Sequence, residues 1–291
     1  MVRDVGGEPT RPGFWRIGSR VLDLSRPCIM GVLNVTPDSF SDGNRFQGVE
    51  QAVESALLMV EEGADIIDVG GESTRPFAAP VSEDEELRRV IPVIEQLAER
   101  LSVPVSIDTY KAAVARRALA AGAEIINDIS GLAFDPEMAA AVAESGAGLV
   151  LMHTRGRPEI MQTDIIYDDL VAEVIDSLRC SLEMASGAGV AREQIVVDPG
   201  IGFGKGVAGN LEILRRLHEF VRLDRPILVG TSRKSFIGSV LNRPVEERIF
   251  GTAATVALAL AGGASLFRVH DVKAMRDVAD MAHAILYSAT G

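Results

Sequence analysis

Short, mainly apolar runs alternate with amphipathic segments along almost the whole chain. The runs lie at 29–33, 65–69, 103–107, 124–126, 148–152, 195–197, 227–229 and 266–269. None alternates cleanly between polar and apolar, which is the pattern of strands covered on both faces in a parallel sheet. Between them, apolar positions recur at helical spacing over 47–62, 83–101, 111–121, 136–145, 167–188, 211–221, 246–261 and 272–286. Gly63, Gly122, Gly146, Gly189 and Gly263 sit where left-handed helix ends want glycine. Ser82 and Glu85 have the spacing of a capping box opening the second helix. Eight strands and eight helices in strict alternation predict an α/β fold, a single (β/α)8 TIM barrel, with a doubly wound open sheet as the competitor. Two β-like runs, 14–17 and 20–24, flank Gly18-Ser19 and predict a hairpin ahead of the first parallel strand. That hairpin is placed to cap the amino-terminal mouth, and with the count of eight it favours the barrel. No linker splits the pattern, so 14–291 reads as one domain, and the Gly-, Pro- and charge-rich stretch 1–13 as a flexible tail.

Composition narrows the partners. A net charge of −12 argues against a nucleic-acid partner, whose backbone is anionic. It leaves room for a small anionic substrate bound by a local basic cluster. The two cysteines, Cys28 and Cys180, have no metal-like spacing and read as free thiols of a reducing cytoplasm. The first thirteen residues lack the apolar core of a signal peptide. The uncharged run 249–267 raises the membrane question, but it is rich in Ala, Thr and Gly and is broken by Gly262-Gly263. It is expected to be a buried helix running into a buried strand.

Barrel chemistry gathers at the carboxyl ends of the strands. The polar residues there are Asn34; Glu72, Thr74 and Arg75; Asp108; Asn127 and Asp128; His153; Asp198; Ser232, Arg233 and Lys234; Arg268, His270 and Asp271. Single members have plain structural readings: Asp108 as a helix cap, Asn127 as a partner for loop amides, His153 as part of a pocket floor. A full set of eight strand ends reads as a site. Asp108, Asn127 and Asp198 supply acceptors suited to a flat heterocycle bearing amidine-like N–H donors. Arg75, Arg233, Lys234 and Arg268 supply cations for phosphate or carboxylate. Asn34 offers a neutral oxygen suited to Mg2+ whose other ligands come from the substrate's own phosphates. The Gly-rich stretch 198–206 has neither Walker nor dinucleotide spacing. It reads either as a flexible turn or as a close backbone approach to a ring. There is no Gly-x-Ser-x-Gly elbow and no zinc-spaced His pair.

Taken together, NVTPDSFSDG (34–43), GGESTRP (70–76), SIDT (106–109), NDISG (127–131), DPGIGFGK (198–205), GTSRKSFIG (230–238) and RVHD (268–271) resemble the dihydropteroate synthase family. The resemblance runs from about 16 to 287, in register with all eight strands. It implies condensation of 4-aminobenzoate with 7,8-dihydropterin-6-ylmethyl diphosphate by a dissociative displacement, with Mg2+, in a cytoplasmic homodimer without nucleic-acid or membrane partners. By motif, Asp108, Asn127, Met152, Asp198, Phe203 and Lys234 would hold the pterin. Asn34, Arg268 and His270 would hold the diphosphate, with the metal at Asn34. Phe40, Thr74, Arg75, Pro76, Lys234 and Ser235 would border the aminobenzoate pocket, which is the family's sulfonamide site. Asp38, Arg75, Lys234, Arg268 and His270 would carry catalysis. The chain departs from the family pattern at Phe77, where glycine is expected, and at Asn44 and Thr154. Two further readings stand beside this one: a pterin-binding methyltransferase domain serving a corrinoid protein, and a copy that binds pterin without turnover. The motifs at 34–43 and 232–238 speak against the first, and the intact polar set against the second. A phosphate-binding barrel isomerase using Glu72 as base is rejected by the motifs alone.

Overall fold

The computed structural model describes residues 13–35, 45–74, 77–163 and 165–287. A hairpin of β1 (Phe14–Ile17) and β2 (Arg20–Asp23) comes first. Gly18 turns it at φ +56°, a conformation open to glycine at no steric cost. Eight parallel strands follow: β3 (Cys28–Asn34), β4 (Ile66–Gly70), β5 (Val105–Asp108), β6 (Ile125–Asp128), β7 (Gly148–Met152), β8 (Ile195–Asp198), β9 (Leu228–Val229) and β10 (Leu266–Val269). Their order is β8-β7-β6-β5-β4-β3-β10-β9. A parallel bridge between Val197 and Ile227 joins the two outer strands and closes the barrel. The helices are α1 (Arg45–Glu61), α2 (Glu83–Arg100), α3 (Ala112–Ala120), α4 (Met138–Ser145), α5 (Leu170–Gly187), α6 (Val207–Arg215), α7 (Ser235–Leu241), α8 (Ile249–Ala261) and α9 (Val272–Tyr287).

Successive strand residues face opposite sides, and here the two sides differ in chemistry. Outward residues such as Ile67, Val69, Ile107, Leu149, Val197 and Phe267 join one continuous core with the helices. Inward residues at the amino ends, Met30, Ile66, Ile125, Val150, Val196, Leu228 and Leu266, pack on Trp15 and Ile17 of the hairpin. The hairpin therefore plugs the amino-terminal mouth. Trp15 is fully buried, and its indole N–H donates to the Gln194 carbonyl at 2.7 Å, so burial leaves no polar atom unmet. Further along the same inward face stand Asp68, Ser106, Asp108, Asn127, Asp198 and Arg268. The barrel is thus dry at one end and polar at the other.

Three expectations are corrected. A ninth helix, α7, stands among the described residues after β9. Its seven residues are too few to display a period, and Asn242, left-handed at φ 52°, ends it. The sixth helical segment starts earlier, at Val207, and gives way after Arg215 to a 3₁₀ turn over Leu217–Leu223. Helix α8 is not buried all round, since Phe250 on its outer side is 84% exposed. No described helix is long and apolar enough to cross a membrane. The glycines read as helix ends, Gly63, Gly122, Gly146, Gly189 and Gly263, all have positive φ. The Ser82 hydroxyl accepts from the Glu85 amide at 3.3 Å, as its capping position requires. Residues 1–12 of the expected tail lie outside the described residues.

Candidate active site

The polar end of the barrel holds a cleft open to solvent. Thr74, Asp108, Asn127, Met152, Asp198, Phe203, Ser232, Lys234, Arg268 and His270 line it, with Val32, Ile129 and Gly230. Register alone brings much of this set together. Asp108 pairs with Asn127 across β5 and β6, and Met152 with Asp198 across β7 and β8. The apolar wall is a small cluster of Tyr110, Ile129 and Met152 with Phe134 and Phe203 against it. Of this cluster Ile129, Met152 and Phe203 reach the cleft, beside its charged groups.

Arg268 organises the charged groups. Its Nε donates to Asp68 Oδ2 at 2.6 Å and its Nη2 to Asp108 Oδ2 at 2.7 Å. Burial works against the guanidinium charge, but Asp68 and Asp108 outweigh it and raise its pKa. Asn127 Nδ2 donates to the same Asp68 oxygen at 3.0 Å. Among the described residues this leaves Asp108 Oδ1 buried without a hydrogen-bond partner, as it does Asp68 Oδ1. A buried bare carboxylate oxygen is costly. On Asp108, which faces the cleft, it is an acceptor awaiting a donor. Burial raises the Asp108 pKa, with Arg268 pulling the other way.

Asp198 and Lys234 form the second polar group. Asp198 Oδ1 accepts from the Gly200 amide at 2.7 Å. Burial raises its pKa, opposed by Lys234. The Lys234 ammonium donates to the Ile201 carbonyl and lies 4.6 Å from the centre of the Phe203 ring. Burial pushes Lys234 down to about 8, against the pull of Asp198. His270 is held by Ser232, whose Oγ lies 3.0 Å from the ring Nδ1 and accepts the His270 amide at 3.1 Å.

Not every strand-end residue joins the cleft. Arg233 is exposed and pairs with Asp271, so it does not join the expected cations of the cleft. Glu72 is engaged by Tyr110, which donates to it at 2.6 Å, and by Lys111. That removes it as the base of an isomerase. Asp128 caps its own loop, accepting from the Ser130 and Leu132 amides at 2.8 and 2.7 Å. His153 is buried behind the cleft beside Lys205 at 2.8 Å. Asn34 and Ser235 are exposed at the rim and do not line the cleft. Asp38, Phe40, Asn44, Arg75 and Pro76 lie outside the described residues. Phe77 has φ +63°, the left-handed region that favours glycine, and its amide donates to Pro158 at 3.0 Å.

The residue that sequence reasoning passed over is Asp68. It sits inside an apolar strand run, two residues after the inward Ile66 and two before Gly70 at the cleft. A carboxylate at that spacing was the available signal, because a fully buried Asp needs a cationic partner.

The family described as "Pterin binding enzyme" matches residues 30–270 of this chain. The dihydropteroate synthase of Synechocystis sp. is 49% identical over 271 residues, covering 92% of this chain and 94% of the relative. Among solved structures, the Yersinia pestis dihydropteroate synthase in a sulfonamide drug complex is 45% identical, with a TM-score of 0.88 over 94% of this chain and 98% of that one. The Xanthomonas albilineans dihydropteroate synthase in complex with 7,8-dihydropteroate is 42% identical, with a TM-score of 0.85 over 95% and 100% of the two chains. Similarity of this depth extends over the strands, the polar cleft and the helices around them, and the chain belongs to the dihydropteroate synthase family, pterin-binding transferases of folate biosynthesis.

Proposed function

We propose that this chain, as one domain over 14–291, joins 4-aminobenzoate to the methylene of 7,8-dihydropterin-6-ylmethyl diphosphate, forming 7,8-dihydropteroate and releasing diphosphate. The observation that carries the reading is the convergence of acceptors, cations and an aromatic ring on one cleft. Asp108, Asn127 and Asp198 share one lining with Met152, Phe203, Lys234, Arg268 and His270, with Arg268 paired to Asp108 and Lys234 over the Phe203 ring. The acceptors would take the N–H edge of the pterin, and the bare Asp108 oxygen is one partner for it.

The methylene C–O bond breaks first, and the electron-rich ring spreads the positive charge. Asp108 and Asp198 stabilise that charge, and Arg268 and His270 stabilise the departing diphosphate. The amine nitrogen then bonds to the methylene and gives its proton to solvent. An aromatic amine is unprotonated at neutral pH, so no strong base is required. Arg268 must share itself between the carboxylates and the diphosphate, because its fork is already engaged by Asp68 and Asp108. Thr74 in the lining and Asn34 and Ser235 at the rim, with Asp38, Phe40, Arg75 and Pro76, would complete the diphosphate and amine sites.

The residues suit Mg2+. Among the described residues there is no group of three or more His, Cys, Asp or Glu that could hold a metal. An ion bound through the Asn34 oxygen and substrate phosphates needs no such cage. When bound, Mg2+ supplies charge neutralisation of the diphosphate. The cytoplasm is the compartment that two free thiols suit. A second copy of the chain is the partner proposed for the exposed apolar side of α8 and α9. The test is diphosphate release with and without 4-aminobenzoate, with product identified by mass and a chelator arm. Amine-dependent release that the chelator suppresses is expected. Release without the amine, or no dihydropteroate formed, overturns the reading.

A further inference from the structure

The stretch 198–206 is a loop folded round a cation of its own. Lys205 is 3% exposed, although a lysine is rarely buried without partners. Its Nζ lies 2.8 Å from His153 Nδ1 and donates to the carbonyls of Gly200 at 2.9 Å, Phe203 at 2.8 Å and His153 at 3.4 Å. Four acceptors around one nitrogen suit an ammonium and an imidazole whose Nδ1 accepts. Burial pulls the Lys205 pKa well down while Asp198 pulls it back up, but four acceptors around Nζ favour the protonated amine. Burial and Lys205 push His153 down to about 2, so the ring is neutral. The backbone is drawn in tightly. A Cβ at Gly200, φ +68°, would stand 1.9 Å from the His153 carbonyl, and one at Gly204, φ +63°, 2.5 Å from Arg155. Two of the acceptors flank cleft groups: Gly200 precedes Ile201, whose carbonyl takes Lys234, and Phe203 is the ring under that ammonium.

We propose that Lys205 is a positioning residue for the pterin site: its buried ammonium gathers the loop carbonyls and thereby sets the Phe203 ring and the Ile201 carbonyl that together place Lys234. This rests on the pterin reading of the cleft given above. It goes beyond that reading because Lys205 does not line the cleft and touches no reacting atom. A mere brace for the fold would change stability and leave ligand affinity alone. A positioning residue changes pterin affinity with turnover kept, the signature of lost uniform binding.

The experiment measures KM for the pterin diphosphate and kcat in Lys205→Met, His153→Leu and His153→Asn, in the full-length chain. Asparagine carries an oxygen on the same γ branch as His Nδ1, so it preserves an acceptor for Lys205, and leucine does not. Lys205→Met is expected to raise KM about tenfold with kcat within about threefold, and His153→Leu to raise KM by a smaller factor. His153→Asn is expected to return KM toward wild type. Should Lys205→Met fail to fold, the two His153 variants decide alone. Wild-type KM in His153→Leu, or an equal rise in Leu and Asn, overturns the inference. Wild-type protein without amine-dependent diphosphate release overturns the pterin reading instead, so the two failures are distinct.

Discussion

At the scale of single residues, the site is a matter of shared charge. Lys234 is held down to about 8 by burial, so its ammonium is lost as pH rises through that value. Asp108 and Asp198 are raised by burial, so they gain protons above the ordinary carboxylate range as pH falls. Both losses weaken the free cleft, and kcat/KM against pH is therefore expected to be bell-shaped, with its basic limb near 8. Lys234→Arg should lower activity but abolish the basic limb, because a guanidinium stays charged. A basic limb unmoved in that variant would assign it to another group. Phe77 is a second case. Its left-handed backbone and 69% exposure mean strain with little burial in return. Phe77→Gly is expected to stabilise the chain by about 1 kcal/mol in urea unfolding. Unchanged or lower stability would show that the side chain holds its loop.

At the scale of elements, the strands were legible because apolar runs broken by glycine-ended helices have few other uses. Their carboxyl ends were not. Strands β4, β5, β6 and β8 run on to Gly70, Asp108, Asp128 and Asp198, beyond the last apolar residue. The inward face there meets a wet cleft, so hydropathy falls while the ladder continues. The same effect concealed Asp68, whose partner Arg268 lies 200 residues away in sequence. Pairing across that distance leaves no local pattern, and neither does a helix as short as α7. The hairpin is a plug as much as a pair of strands, because Trp15 fills the floor of the barrel under Ile125 and Val150. Trp15→Ala is expected to cost about 3–5 kcal/mol by denaturant unfolding. A loss under about 1 kcal/mol would mean the barrel floor repacks without it.

At the scale of the whole molecule, the barrel separates stability from chemistry. Its amino end is closed by apolar packing and its carboxyl end collects the cleft. The outer side of α8 and α9 carries Phe250, Leu258, Met281 and Ile285, all exposed. An apolar stretch of this kind fits a second copy. Phe250→Glu is expected to shift sedimentation from dimer toward monomer, and a monomeric wild type would sink that proposal. The central claim is that acids from separate strands grip one flat ring. Its most direct test is calorimetric titration of a pterin lacking phosphates into wild type and Asp198→Asn. One pterin per chain in the wild type, weakened about tenfold or more by the substitution, is predicted. Equal affinity in the two proteins would contradict it.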